Sequence, residues 1–204
     1  MNKTLRIFLL YVSLYVFTTG DKYFRLLFSL INFNRMLNRL FSIGICNEYE
    51  IDQWIASFGW TNQTNPADIG NVVRLQFKWR EDKSFRDYAK CPGAFFANKG
   101  VGLNPPQEGI GADDCDGFAM FCEYVFNKLG YEDVSRLYVR TGDSGHAICV
   151  VKHQDRYFEI GNWPPLILEG KTTKEHAKQI ANAMGGDMSC AMKFKGYSLQ
   201  EYIE

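Results

Sequence analysis

One cysteine and one histidine stand in sequence contexts that suit chemistry. Cys115 follows the acidic turn Asp113-Asp114 and begins an apolar helical pattern, and His146 follows Gly145 at the start of an apolar strand. A thiol becomes a nucleophile at neutral pH when a positive field favours the thiolate and a base can take its proton. The pair therefore predicts a thiol nucleophile with an imidazole base, whereas a lone cysteine would be read as an apolar core residue.

The helix that carries Cys115 is predicted from its cap and its periodicity. The carboxylate of Asp113 or Asp114 can accept hydrogen bonds from the first backbone amides of a helix. Apolar residues then recur at helical spacing as far as Leu129, and Gly130 supplies a left-handed stop. Cys115 would lie in the first turn, where free amides and the helix dipole stabilise an anion. The neighbouring carboxylates oppose this, because like charge disfavours a thiolate.

Strands are expected to follow this helix. Three short apolar runs separated by turn residues predict strands over 137–141, 146–151 and 156–160. Their short connections favour an antiparallel meander. The chain is therefore expected to fold as an α+β domain in which the helix that begins at Cys115 packs on an antiparallel sheet with His146 on the next strands.

Two motifs resemble those of the transglutaminase-like superfamily. They are Asp-Cys-Asp-Gly-Phe-Ala at 114–119, and Gly-His-Ala at 145–147 followed by an aromatic strand that ends in Asn-Trp at 162–163. The chain is most similar to the small bacterial and phage-type cysteine peptidases of that group, over about half its length. The resemblance implies a papain-like α+β core with a Cys-His-Asp triad, in which Cys115 is the nucleophile and His146 is its base and later its acid.

The third residue of that triad is where this chain departs from the family. The family's Asp would fall on Gly161. Such a residue holds the imidazole in the correct tautomer. Asn162 is the first candidate to replace it, because an amide oxygen can accept from a ring N–H, and Glu159 is the second, because residues two apart share a strand face. The alternative for Asn162 is that it only shapes the turn before Trp163.

The remaining polar candidates are weaker. His153 falls in a predicted hairpin turn and His176 on a polar helix, so both are expected to be exposed to solvent. Gln107 and the indole of Trp79 could donate to an oxyanion, but a loop amide and a core aromatic are simpler explanations. The backbone N–H of Cys115 is the preferred donor.

Composition is that of a compact enzyme. The chain has 204 residues, 46% of them hydrophobic, and its 23 basic and 23 acidic residues balance, so no nucleic-acid partner is expected. Of the six cysteines, Cys122 and Cys149 occupy apolar positions typical of buried free thiols. No cysteine or histidine pattern has zinc spacing, and no metal or other cofactor is expected.

Residues 1–45 are predicted to be a separate segment attached to a domain over 46–204. A basic start, an apolar run over 7–17 and small polar residues are the order of a signal peptide. Residues 22–45 lack acidic side chains and resemble a basic amphipathic helix suited to a membrane surface or a partner groove. Three alternatives stay open: an export signal or anchor, an assembly helix in a larger complex, or part of the core. The first implies an exported or membrane-associated protein, and the others a cytoplasmic protein or a component of a larger particle.

Other elements are expected from periodicity and turn residues alone. They are helices over 48–58 and 172–184, a strand over 188–194 and a short terminal helix over 198–203. The segment 72–79 fits a helix or a buried strand, and the family resemblance favours the helix.

The expected function is thiol-dependent amide hydrolysis of a protein or peptide, as in a cysteine peptidase, or acyl transfer with the same Cys-His pair. The alternative is a catalytically degenerate structural or binding module in a larger assembly, and the glycine at position 161 favours that alternative.

Overall fold

The computed structural model describes residues 49–79, 111–142 and 144–204, and a six-stranded sheet is its main element. The elements in chain order are α1 (Tyr49–Ser57), α2 (Pro66–Gln76), β1 (Phe77–Trp79), β2 (Gly111–Asp113), α3 (Cys115–Lys128), β3 (Glu132–Thr141), β4 (Ser144–His153), β5 (Arg156–Ile160), β6 (Leu166–Leu168), α4 (Thr173–Ala183), β7 (Cys190–Lys195) and β8 (Ser198–Ile203).

The sheet is antiparallel throughout. Its strand order is β6-β5-β4-β3-β7-β8, so β3 to β5 form the predicted meander, β6 extends it by a strand that was not predicted, and the hairpin β7-β8 is added beside β3. Strands β1 and β2 form a separate parallel pair. The α+β class and the packing of a helix that begins at Cys115 on an antiparallel sheet are confirmed.

Helix α3 begins and ends at the residues that its sequence indicates. Asp114 is the N-cap, and its side chain accepts a hydrogen bond from the backbone N–H of Asp116 at 3.2 Å. Gly130, just beyond the helix, has a φ of 79°, a conformation that glycine adopts without steric cost. Ten of the 14 residues of α3 are buried, so the helix is enclosed on most of its sides, and Phe118, Phe121 and Phe126 are fully buried.

The two faces of the sheet carry different cores. Along β4, Cys149 and Val151 pack with α3, whereas Ile148 and Val150 belong to the cluster on the other face. Helix α4 covers that second face with Ala177, Ile180 and Ala181. A capping box between Thr172 and Glu175 begins α4.

A buried ion pair joins α3 to the β7-β8 hairpin. Nε of Arg136 lies 2.7 Å from Oε2 of Glu123, and the two side chains are 1% and 6% exposed. Glu123 also accepts from the backbone N–H of Gly196 at 2.7 Å, and Arg136 donates to the Gly196 carbonyl. The turn at Gly196 is thereby tied to the centre of the domain.

One predicted helix is wrong, and one segment with two predicted alternatives contains both. Residues 198–203 form strand β8 rather than a helix, because the turn at Gly196, with a φ of 57°, folds the chain back along β7. The segment 72–79, predicted as a helix or a buried strand with the helix favoured, is helical as far as Gln76 and forms strand β1 over Phe77–Trp79. Phe77 is extended, with φ and ψ of −79° and 139°, because the chain there pairs with Gly111–Asp113.

The predictions for residues 1–45 lie outside the described residues. Within 49–79, 111–142 and 144–204, none of the helices is long and apolar enough to cross a membrane. The signal, anchor and assembly alternatives, and the domain boundary at residue 46, stay predictions.

Candidate active site

Cys115 is the first residue of α3 and is partly buried. It packs against a small cluster that includes Ala119, Tyr138 and Ala147. Its position in the first turn places it among backbone amides that have no partner within the helix, where a negative charge is favoured. The helix prediction for the nucleophile candidate is confirmed, and its chemical role stays a prediction.

His146 is the third residue of β4 and pairs with Val139 across the sheet. Burial lowers the pKa of His146 to about 4, and a side-chain hydrogen bond with Asn162 acts in the opposite direction. The Nε2 atom is buried and has no hydrogen-bond partner among the described residues. At neutral pH the ring is therefore neutral, which is the form that can accept a proton.

Asn162 follows β5 and is exposed, yet its side chain reaches the His146 ring. The role of Asn162 in orienting the imidazole stays a prediction. The pKa of His146 is nevertheless low, because the loss of hydration on burial outweighs one neutral hydrogen bond.

Trp163 is a member of this site to which the sequence analysis gave no role. Its ring centroid lies 4.4 Å from that of His146, with the two planes inclined by 32°. Its indole N–H donates to Oε2 of Glu159 at 2.6 Å. The Asn-Trp dipeptide was a visible signal, but only the fold brings the indole onto the imidazole.

Glu159 is fully buried on the same side of β5 as Gly161. Burial raises the pKa of its carboxyl to about 8, although hydrogen bonds from Trp163 and from the backbone N–H of Leu166 lower it in part. Its Oε1 atom has no hydrogen-bond partner within the described part of the chain. Glu159, the second candidate to replace the missing acid of the triad, therefore lies in the site and contacts Trp163.

Gly161 lies directly against the carboxyl of Glu159. A Cβ atom at this position would overlap Oε1 of Glu159 and lie 3.1 Å from Cγ2 of Ile148. The carboxyl of Glu159 occupies the space that a side chain at position 161 would need.

Cys115 and His146 lie at the same end of the sheet. The first turns of α3 pack near Ala147, the residue after His146, and its last turns pack in the cluster of Val151. Because successive side chains of a strand point to opposite faces, His146 shares its face with Ile148, and Ala147 lies on the face of α3. The fold brings the two residues to one end of β4, and the alternation of the strand assigns them to different faces.

Comparison with known proteins gives one weak structural similarity to report. No family model matches the chain, and no curated protein matches it. The chain is similar to calcium-bound LapG from Legionella pneumophila, with a TM-score of 0.44 and 14% identity over 66% of this chain. The match spans 65% of the LapG chain, which is less than two thirds of its length.

Both histidines outside the site differ from their predictions. His176 is buried, at 4% exposure, with its ring 4.6 Å from Tyr157 and its Nε2 3.2 Å from the Gly170 carbonyl oxygen. It lies on the side of α4 that packs on the sheet, which explains why the expectation of exposure is wrong. His153 is the last residue of β4 and is partly buried beside Tyr131.

Of the two weaker oxyanion candidates, the structure describes Trp79, which pairs with Asp113 between β1 and β2. Trp79 is 47% exposed, so its assignment as a core aromatic is wrong. Gln107 lies outside the described residues.

The other thiols behave as predicted where they are described. Cys122 and Cys149 are free and fully buried, and burial raises the pKa of both thiols well above the usual value. Such thiols react slowly, since the thiolate is the nucleophile. In the part of the chain that the structure describes, no three His, Cys, Asp or Glu side chains are grouped to hold a metal ion.

Proposed function

We propose that this chain is a transglutaminase-like thiol hydrolase that cleaves amide bonds of a protein or peptide, with Cys115 as nucleophile and His146 as base. The observation that carries the proposal is the state of His146. Asn162 holds the ring by a hydrogen bond, and Nε2 is buried and without a partner among the described residues. A neutral, oriented imidazole with one free nitrogen is what a general base requires.

The reaction follows the order of thiol acyl transfer. The free ring nitrogen of His146 takes the proton of the Cys115 thiol, and the sulfur forms a bond to the amide carbonyl carbon. As the C–N bond breaks, His146 returns the proton to the leaving amine. Water then attacks the thioester while His146 takes its proton and gives it back to the thiol. With an amine in place of water, the same steps give an acyl transferase.

Helix α3 supports the negative charges of this sequence. Cys115 lies in its first turn, where the helix dipole favours a thiolate. The backbone N–H of Cys115 is the proposed donor to the oxyanion of the tetrahedral intermediate.

The mechanism also requires the imidazole to meet the thiol. His146 stands near the exposed start of β4, next to Gly145. The proposal therefore requires the Cys115 thiol to approach the held imidazole around the start of β4, beside Gly145.

A second candidate function, a binding module without catalysis, is favoured by one observation. The alternation of β4 assigns His146 and the Cys115 cluster to opposite faces, and position 161 lacks the family's acid. In that case Cys115 would be an ordinary thiol and Asn162 a turn residue.

Incubation of the full chain with a mixed peptide library, read by mass spectrometry, separates the two candidates. Hydrolysis or amine incorporation that disappears in Cys115→Ser and persists in Cys190→Ser supports the enzyme. Cys190 is a suitable control because it is buried at the start of β7. Products formed equally by wild type and Cys115→Ser, or no products at all, contradict the hydrolase proposal.

A further inference from the structure

We propose that Glu159 is the positioning residue for His146, that it acts through Trp163, and that position 161 is glycine to make room for it. In this arrangement the acid of the triad has moved two residues back along β5. The inference rests on the proposed function of the Cys115–His146 site and names a residue that supports it.

The first support is a continuous set of contacts. Glu159 accepts the indole N–H of Trp163 at 2.6 Å, and the Trp163 ring lies 4.4 Å from the His146 ring. A hydrogen bond at the indole N–H restrains rotation of the Trp163 side chain. It therefore favours one orientation of the indole against the imidazole, which also has a hydrogen bond with Asn162.

The second support is the space around Gly161. This glycine is buried, and no positive φ explains its presence. A Cβ would overlap the Glu159 carboxyl and touch Ile148 at 3.1 Å. A side chain at position 161 would therefore require the Glu159 carboxyl to move, whereas glycine lets the carboxyl keep its hydrogen bond with Trp163.

The third support is that the carboxyl of Glu159 is buried while only part of its hydrogen-bonding capacity is used. Glu159 is 0% exposed, and Oε1 has no hydrogen-bond partner among the described residues. Such a group is costly to bury, so its presence beside the site needs an explanation beyond packing. The raised pKa of the carboxyl agrees with a neutral acid that is stabilised without a cation.

The test compares four variants: Glu159→Gln, Glu159→Ala, Gly161→Asp and the double variant Glu159→Ala/Gly161→Asp. Two quantities are measured on the full chain: the indole ¹⁵N–¹H resonance of Trp163, and the rate of Cys115 alkylation by iodoacetamide. Gly145→Ala is the matched control, because a Cβ there meets only the Val139 carbonyl oxygen, at 3.9 Å.

Glu159→Gln keeps an acceptor and is expected to retain the Trp163 resonance and the alkylation rate. Glu159→Ala should shift the resonance and slow alkylation by about 10- to 100-fold, as expected when a reacting group is misplaced. Gly161→Asp alone should shift the resonance or fail to fold. The double variant should fold, and its Cys115 should be alkylated faster than in Glu159→Ala or in Gly161→Asp.

Two results overturn the inference. One is a Gly161→Asp protein that folds with an unchanged Trp163 resonance, because the space would then not be needed. The other is a double variant in which Cys115 is alkylated no faster than in either single variant. The indole resonance also separates this failure from that of the proposed function. If Cys115 has no enhanced reactivity, the hydrolase proposal fails, while the resonance still reports whether Glu159 holds Trp163.

Discussion

Two buried glutamates, Glu123 on α3 and Glu159 on β5, differ in the partners that stabilise their carboxyl groups. Burial raises the pKa of both carboxyls. Arg136 and the backbone N–H of Gly196 act against that rise at Glu123. At Glu159 the opposing contacts are two neutral donors, the indole of Trp163 and the backbone N–H of Leu166.

The difference distinguishes Glu123, which stabilises the fold, from Glu159, which lies beside the candidate site. Glu123 with Arg136 ties α3 to the β7-β8 hairpin. Glu159 lacks a cation among its described partners and touches the group that stacks on His146. Groups with perturbed pKa values and incomplete pairing are concentrated at functional sites, which favours Glu159 as the member that supports chemistry.

The largest loss of stability is expected when the ion-pair partner of Glu123 is removed. Arg136→Ala should lower the free energy of unfolding by about 3 to 5 kcal/mol, because it leaves the Glu123 charge buried and unpaired. Chemical denaturation measures this value, with Arg140→Ala, a partly exposed position on the same strand, as control. A loss no greater than that of the control would mean that the ion pair contributes little, and the contrast between the two acids would fail.

The next effect is a dependence of stability on pH that arises from Glu159. The carboxyl titrates at about 8 in the folded chain. The folded state therefore binds more protons than the unfolded state between pH 4.5 and 8, and the contribution of Glu159 to stability falls as pH rises through that range. The unfolding free energy of wild type minus that of Glu159→Gln should fall by about 2 to 3 kcal/mol from pH 5 to pH 7. A difference that is constant with pH would contradict a neutral buried acid.

His146 should show the opposite dependence. Its pKa is lowered to about 4 in the folded chain, so the unfolded state binds more protons between pH 4 and 6.5. Stability from this group is complete above pH 6.5 and is lost as pH falls. The difference between wild type and His146→Ala should shrink by about 1 to 2 kcal/mol from pH 6.5 to pH 5. A difference that stays constant over this range would contradict a neutral, buried ring.

The smallest change in stability is expected at Asn162. Asn162→Ala should alter the unfolding free energy by less than about 1 kcal/mol, because the residue is exposed and makes one neutral hydrogen bond. The pKa of His146 should fall further, since the bond with Asn162 raises it. Titration of the His146 ring by NMR checks the direction. An unchanged or higher pKa would show that Asn162 does not orient the ring.

Local features of the sequence predicted most of the fold. The cap at Asp114, the helical spacing that follows it and the stop at Gly130 are contained in adjacent residues, and so are the three strands of the meander. The terminal strand β8 could not be predicted in this way. Its residues pair with β7 only after the turn at Gly196 has folded the chain back.

The site was predictable in its residues and less so in its contacts. The motif residues Cys115, His146 and Asn162 could be chosen by type and spacing. The overlap between Glu159 and a side chain at position 161 depends on how β5 lies against Ile148. The burial of His176 depends in the same way on which side of α4 faces the sheet. Such three-dimensional contacts cannot be recognised from the residue types of the local sequence.

The central claim, that Cys115 and His146 act as a pair, is tested most directly by the alkylation rate of Cys115. Iodoacetamide labelling from pH 5 to pH 9, followed by peptide mapping, should give Cys115 the highest rate among the described thiols. His146→Ala should lower that rate at pH 7 by at least about tenfold, because the base that removes the thiol proton is lost, and His153→Ala should not. Equal rates in wild type and His146→Ala, with Cys115 no more reactive than an ordinary thiol, would contradict the account.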